Sequence, residues 1–248
     1  MKTRFRADQL VFDSGLAESR EKAKSLIMAG RVALADASGE AIGKPEKPGQ
    51  FFPAETRFIL LPGKEYASRG AYKLLTILDS LDVTDFVCVD AGASTGGFTD
   101  CLLQRGASRV YAIDVGKNQL HEKLRADPRV VNLEGVNIRY ADANLVPEKA
   151  DLVSADLSFI SLCLVLPALV RWLKPGGKLA LLIKPQFELS PREVNKGVVV
   201  KEEYRKKATD KVVAFCENEL GLRLKTLLPA QIKGPKGNQE YMALFESA

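Results

Sequence analysis

Residues 86–100 read Phe-Val-Cys-Val-Asp-Ala-Gly-Ala-Ser-Thr-Gly-Gly-Phe-Thr-Asp, and no other stretch restricts the fold so tightly. A short, β-branched apolar run ends on an acid, Asp90, and reads as a buried strand. Gly92, Gly96 and Gly97 follow, and glycines there permit a tight turn and close approach of backbone to a ligand. From Gly96 the apolar positions Phe98, Leu102 and Leu103 share one helical face. Strand, glycine turn and helix make the first crossover unit of an open α/β sheet, with its ligand crevice at the carboxyl end of the strands.

A glycine turn also occurs as a purely structural turn, so its ligand must be argued from its neighbours. No Gly-x-Gly-x-x-Gly lies between Asp90 and Gly97, and no Gly-Lys-Ser/Thr follows. That argues against a dinucleotide or P-loop phosphate site. Asp114 ends the next apolar strand, Arg109–Ile113, where a ribose-hydroxyl acceptor belongs. A nucleoside-like cofactor without a pyrophosphate fits, S-adenosylmethionine foremost.

Downstream, strands are expected at 86–90, 109–114, 130–133, 151–156, 178–184, 222–230 and 241–246. Helices are expected at 96–105, 117–126, 161–173 and 201–220. A further helix, opened by Ser68, should precede the sheet and run to about Leu81. Alternation of this kind implies a parallel sheet. The last two strands lack a helix between them, so the final one should run antiparallel. Asp156 and Lys184 then lie on the carboxyl edge of the sheet. Glu240, at the start of an antiparallel strand, lies there too, beside the glycine turn. Each has a plainer reading: a loop cap for Asp156, a surface charge for Lys184, a partner for a nearby lysine for Glu240. The plain reading of Lys73, on the helix after Ser68, is likewise a solvated charge.

The first 62 residues have another character. A short helix at Ala7–Asp13 stops at Gly15. Ser19 can cap a second helix, with Ala23, Leu26 and Ile27 on one face and Gly30 ending it. Strands follow at Arg31–Ala35 and Arg57–Leu61, separated by a Gly- and Pro-rich stretch. The boundary with the sheet domain belongs near residue 65. Basic side chains stud the helix pair, and the chain carries a formal net charge of +5, a tilt toward polyanionic partners. The four cysteines form no Cys-x-x-Cys pair, and the single histidine, His121, sits among polar residues. Reduced buried thiols and a surface histidine are the expectation, with no metal site. No apolar core follows the basic start, and Leu157–Leu173 is too interrupted to span a bilayer. A cytoplasmic protein without membrane contact is expected.

Two sets of residues carry a family resemblance. Arg6-x-Asp8, Gly15-Leu16, Ser19-Arg20, Ala23, Leu26-Ile27, Gly30 and Val32 resemble the αL RNA-binding domain. Ser68-Arg-Gly-Ala-x-Lys73, Asp90–Thr99, Ala155-Asp156-Leu-Ser-Phe-Ile-Ser-Leu, Lys184-Pro-Gln-Phe-Glu and Gly234-Pro-x-Gly-Asn-x-Glu240 resemble the TlyA family, an αL domain fused to an FtsJ-like methyltransferase. The resemblance implies three segments: an αL domain at 1–62, a linker at 63–67 and a methyltransferase domain at 68–248. The latter would be a Rossmann-like, class I S-adenosylmethionine-dependent fold with seven strands, mostly parallel, the last antiparallel. It further implies 2′-O-methylation of cytidine in ribosomal RNA or ribosomal subunits. Because the chain stops soon after Glu240, as in the family's short form, large-subunit RNA is favoured and small-subunit RNA remains open. Two alternatives stand beside this: a non-catalytic RNA-binding or ribosome-assembly factor, and a haemolysin, as relatives are often labelled.

The resemblance carries Lys73, Asp156, Lys184 and Glu240 over as the catalytic set. Asp90, Gly92, Ser94, Thr95, Gly96, Gly97 and Phe98 would hold the cofactor, together with Asp114, Asn137 and Asp156. Arg4, Arg6, Ser19, Arg20, Lys24, Arg31 and Arg69 are the expected RNA contacts, since structured RNA is read through shape and backbone. Lys184 would take or polarise the hydroxyl proton, helped by burial and by the like charge of Lys73. Asp156 would orient Lys184, and Glu240 would hold Lys73 or the ribose.

Overall fold

The computed structural model describes residues 4–28, 30–61 and 66–247. The chain divides into two compact units, Met1–Glu65 and Tyr66–Ala248. Of the expected linker, residues 63–65 lie outside the described residues, whereas Tyr66 and Ala67 pack into the core of the second unit.

The second unit is built on seven strands: β1 (Val87–Ala91), β2 (Arg109–Asp114), β3 (Val130–Glu134), β4 (Ala150–Ala155), β5 (Leu173–Ile183), β6 (Arg223–Pro229) and β7 (Tyr241–Glu246). Their order across the sheet is β6-β7-β5-β4-β1-β2-β3. The five strands from β3 to β5 are parallel, and β7 runs antiparallel to both β5 and β6. This is the expected Rossmann-like arrangement. Side chains alternate between the faces. Cys88, Val110, Leu152 and Ala180 enter one core, while Val89, Tyr111, Val153 and Leu181 enter the other. Both faces are buried, which is why these strands read as continuous apolar runs.

Helices Ala71–Leu78, Gly97–Gln104 and Glu202–Asn218 fall where the pattern places them. Two others do not form as expected. The segment 117–126 yields only Glu122–Arg125. The Glu134 carboxylate accepts the N–H groups of Asn118, Gln119 and Leu120 at 2.8–3.1 Å, so those groups are tied to the edge strand rather than opening a helix. The same bonds hold the Glu134 carboxyl down to about 2. The segment 161–173 breaks into short turns around Leu166–Leu169. Pro167 lies in the first turn of that piece, where it is tolerated, but it cannot continue a helix from upstream.

The first unit holds helices Ala7–Asp13 and Arg20–Met28, and a three-stranded sheet ordered Ala41–Gly43, Val32–Ala35, Arg57–Leu60. A further ribbon pairs Arg4–Arg6 with Phe51–Pro53. The core is small: Ala7, Val11, Ala23, Ile27, Val32 and Phe58. Ser19 Oγ accepts the Lys22 N–H at 3.1 Å, capping the second helix. Gly30, at φ 67°, turns the chain away from that helix. Among the described residues no helix is long and apolar enough to cross a membrane.

Candidate active site

The site grows from the carboxyl end of β1. Gly92 has φ 87° and donates its N–H to Ile113 O at 2.8 Å. A Cβ there would stand 2.6 Å from the Asp156 carbonyl oxygen, so both conformation and space require glycine. Gly96, at φ 90°, faces inward, and its added Cβ would collide with Leu124 and Leu120. Asp90 lies fully buried beneath the turn. Its Oδ2 accepts the Thr99 N–H at 2.8 Å and the Thr99 hydroxyl at 2.7 Å, anchoring helix Gly97–Gln104. Burial pushes the Asp90 carboxyl up to about 7, against the Thr99 hydrogen bonds and with Asp156 and Asp114 adding to the rise. Asp90 therefore supports the turn from below rather than lining the cleft.

The cleft itself has a volume of about 500 Å³, and Gly92, Ser94, Asp114, Asn137, Asp156 and Ser158 are among its walls. That is the size of a small-ligand pocket. Asp114 Oδ2 accepts the Ser94 N–H at 2.8 Å, and Oδ1 accepts the Gly116 N–H at 2.7 Å. Each oxygen keeps a lone pair for a further donor. Asn137 accepts the Arg139 N–H at 3.1 Å, and Val136 and Ile138 supply an apolar wall beside it. Acceptors next to an apolar wall complement the ribose hydroxyls and the flat base of an adenosine moiety. Thr95, Gly97 and Phe98 line a second, smaller cavity of about 240 Å³, which shares Gly92, Ser94, Asp156 and Ser158 with the first.

Lys73, Asp156 and Lys184 open onto that second cavity, with Glu240 buried behind Lys73. The pairing of Ile183 with Tyr241 brings Lys184 and Glu240 to the same sheet edge. Lys73 arrives from helix Ala71–Leu78, whose Leu74, Leu75 and Leu78 anchor it in the core. Lys184 Nζ stands 2.5 Å from Asp156 Oδ1 and donates to Ser158 Oγ at 2.8 Å. Lys73 Nζ stands 2.7 Å from Glu240 Oε2. Both lysines are 8 % exposed and Glu240 is fully buried. Asp156 Oδ1 and both Glu240 carboxylate oxygens nonetheless lack a directed hydrogen bond. The contacts are ionic and off the hydrogen-bonding direction. Ser158 escaped the sequence reading, although it lies two residues past Asp156 within a quoted stretch.

The expected RNA contacts lie mostly in the first unit. Arg6 grips Asp8 with two bonds, at 2.9 and 3.0 Å, and Arg20 reaches the same carboxylate at 3.3 Å. Arg4 donates to Phe51 O and Arg31 to Leu61 O. Lys24 pairs with Glu21 on the exposed face. Ser19 is the helix cap already described. Arg69, in the second unit, lines a shallow cavity with Lys73 and Lys233.

Residues 66–247 match the FtsJ-like methyltransferase family. The 16S/23S rRNA (cytidine-2′-O)-methyltransferase TlyA of Mycobacterium tuberculosis is 42 % identical over 246 residues, covering 97 % of this chain and 89 % of that protein. The chain belongs to the FtsJ-like methyltransferases, among the TlyA proteins. Hemolysin A of Brachyspira hyodysenteriae is also similar, 36 % identical over 97 % of this chain and 99 % of its own length. A solved structure from Streptococcus thermophilus, named as a candidate haemolysin, aligns with TM-score 0.73 and 41 % identity, covering all of this chain and 90 % of that one. Membership of the FtsJ-like methyltransferases makes the chain a methyl-transfer enzyme and implies S-adenosylmethionine as donor.

Proposed function

We propose that this chain methylates the ribose 2′-hydroxyl of cytidine in ribosomal RNA, and that the two lysine–carboxylate pairs beside the glycine turn carry the reaction. The observation that supports this most is Lys184. Its buried amino group lies between Asp156 and Ser158 and opens onto the smaller cavity, where those two residues also line the nucleoside-sized cleft.

Asp114 and Asn137 would hold the adenosine part of the cofactor, and the backbone of Gly92–Ser94 would pass beneath its amino-acid part. When bound, S-adenosylmethionine supplies an electrophilic methyl carbon on a sulfonium. The ribose oxygen would attack that carbon, and Lys184 Nζ, entering the step as the free amine, would take the hydroxyl proton. Asp156 and Ser158 fix Nζ against the hydroxyl. Lys73, held by Glu240, steadies the developing negative charge on the ribose oxygen. The donor is already activated, so alignment supplies much of the rate. The target nucleotide unstacks to bring its sugar into the cavity.

The first unit, resembling an αL domain, would dock on structured RNA through the exposed face carrying Ser19, Arg20 and Lys24. Purified protein with labelled S-adenosylmethionine and ribosomal RNA tests the whole reading. Lys184→Ala should lower methyl transfer by about 10²–10⁴-fold, while calorimetry shows cofactor affinity within a few-fold of wild type. Retained turnover removes Lys184 from the mechanism. The name of the Brachyspira relative favours a second reading, membrane lysis. Leakage of dye-loaded liposomes under the purified protein decides that question separately.

A further inference from the structure

Asp156 and Ser158 sit at the start of a loop, and Lys184 sits at the end of a strand. The pairing of β4 with β5 ends at Leu181 and Ala155, and past it only the Asp156 N–H, bonded to Ala91 O at 3.0 Å, ties the start of the loop to the sheet. The loop is also strained, because Phe159 has φ 64°, a conformation that a bulky side chain adopts only when its surroundings impose it. Three cross-links supply that constraint. Lys184 binds Asp156 and Ser158. The Phe187 ring packs on Phe159, centroids 5.2 Å apart. Glu188, four residues past Lys184, accepts the Ser161 hydroxyl at 2.5 Å and the Leu162 N–H at 2.7 Å.

The third cross-link is the buried one. The Glu188 side chain is 1 % exposed. Lys211, from helix Glu202–Asn218, closes over it, donating to Glu188 Oε2 at 3.2 Å, to the Glu188 carbonyl at 2.9 Å and to Ser161 Oγ at 3.3 Å. The carboxylate is thus satisfied on both oxygens, unlike those of Asp156 and Glu240, and its burial closes it to a ligand. Its chemistry is that of a clamp. Pro185 and the short helix Pro185–Glu188 make the connection to Lys184 stiff.

We propose that Glu188, locked by Lys211, is a positioning residue for methyl transfer. It sets the register of the 156–162 loop against the end of β5 and thereby keeps Asp156 and Ser158 on Lys184 Nζ. The proposal rests on the reading of Lys184 given above. Glu188 itself lines neither cavity, but the loop it registers supplies Asp156 and Ser158 to both, so its loss should lower turnover more than cofactor affinity. Groups that orient a reacting side chain are typically worth about 10–100-fold.

The test compares wild type, Glu188→Gln and Lys211→Met. Glu188→Gln keeps the volume and one acceptor but cannot serve Ser161, Leu162 and Lys211 together. Its kcat should fall about 10–100-fold, with KM for RNA within about twofold of wild type and any loss in S-adenosylmethionine affinity well below the loss in kcat. Lys211→Met should fall less, and the double variant should be no worse than Glu188→Gln, because the two act as one unit. In a Ser158→Ala background the Glu188→Gln effect should shrink. Amide hydrogen exchange gives a readout free of activity: exchange at 157–163 should speed up while β1 and β4 stay protected. An unchanged kcat with only a lowered Tm overturns the proposal, as does an equal loss in cofactor affinity. Loosened exchange together with a wild type that methylates no RNA would sink the proposed function and leave the clamp standing.

Discussion

Each unit contains a buried carboxylate met by cations, and the two are built in opposite ways. In the first unit Asp8 is fully buried, yet its partners Arg6 and Arg20 keep 41 % and 44 % of their side chains exposed. Its oxygens accept from both guanidinium groups and from the Gln9 N–H. In the second unit the lysines are buried along with Glu240, and the carboxylates lack directed hydrogen bonds. A saturated carboxylate holds a shape. An unsaturated one, with its cation trapped beside it, is costly to maintain. The difference separates a structural cluster from a reactive one.

The largest break in this comparison should come from Glu240→Ala. It strands Lys73 in a buried position without a partner, and loss of about 3–5 kcal/mol is expected in denaturant unfolding of the methyltransferase unit. Asp8→Ala should cost less, about 1–3 kcal/mol, since Arg6 and Arg20 can turn into water when their partner is gone. Amide exchange separates the two units in that measurement.

Titration sharpens the contrast by sign. Burial pushes the Asp8 carboxyl up, but Arg6 and Arg20 together outweigh it and hold it below the ordinary 3.8. Its contribution is complete above that value and is lost as pH falls through the lowered one. Asp90 is raised to about 7, chiefly by burial, so the folded state keeps its proton to higher pH than the unfolded chain does. From this group stability falls as pH rises from near 4 toward 7. Asp90→Asn, which keeps an acceptor for Thr99, should flatten that fall in a pH series of unfolding free energies.

The smallest effect concerns Lys24, a half-exposed residue paired with Glu21. Lys24→Ala should change stability by less than about 0.5 kcal/mol. It should weaken binding to a ribosomal RNA fragment and lower the salt slope by about one unit if this face meets phosphates.

Much of this was legible in the sequence because it rests on local pattern. The strands of the sheet are continuous apolar runs, and the residues of the site sit at their ends, where topology alone collects them. Lys73, Asp156, Lys184 and Glu240 could be named from position and resemblance before any coordinate. What escaped depends on distant partners. The helix expected at 117–126 is pre-empted by Glu134, which is remote in sequence and carries no local mark. Ser158 and Glu188 lie inside quoted motifs, but their roles appear only when the two segments are seen side by side. Asp8 reads in the sequence only as one of several acids set against the basic residues; that Arg6 and Arg20 both bind it shows only in the fold. The three-residue strands at Arg4–Arg6, Ala41–Gly43 and Phe51–Pro53 are too short for any alternation to show.

The central claim is that the paired lysines act on a ribose hydroxyl. Ribosomal RNA incubated with the purified protein and methyl-labelled S-adenosylmethionine, then digested to nucleosides and resolved by mass spectrometry, tests it most directly. The account predicts label in 2′-O-methylcytidine, present with wild type and absent with Lys184→Ala. Label on a base, or none on either ribosomal RNA or intact subunits, would contradict it.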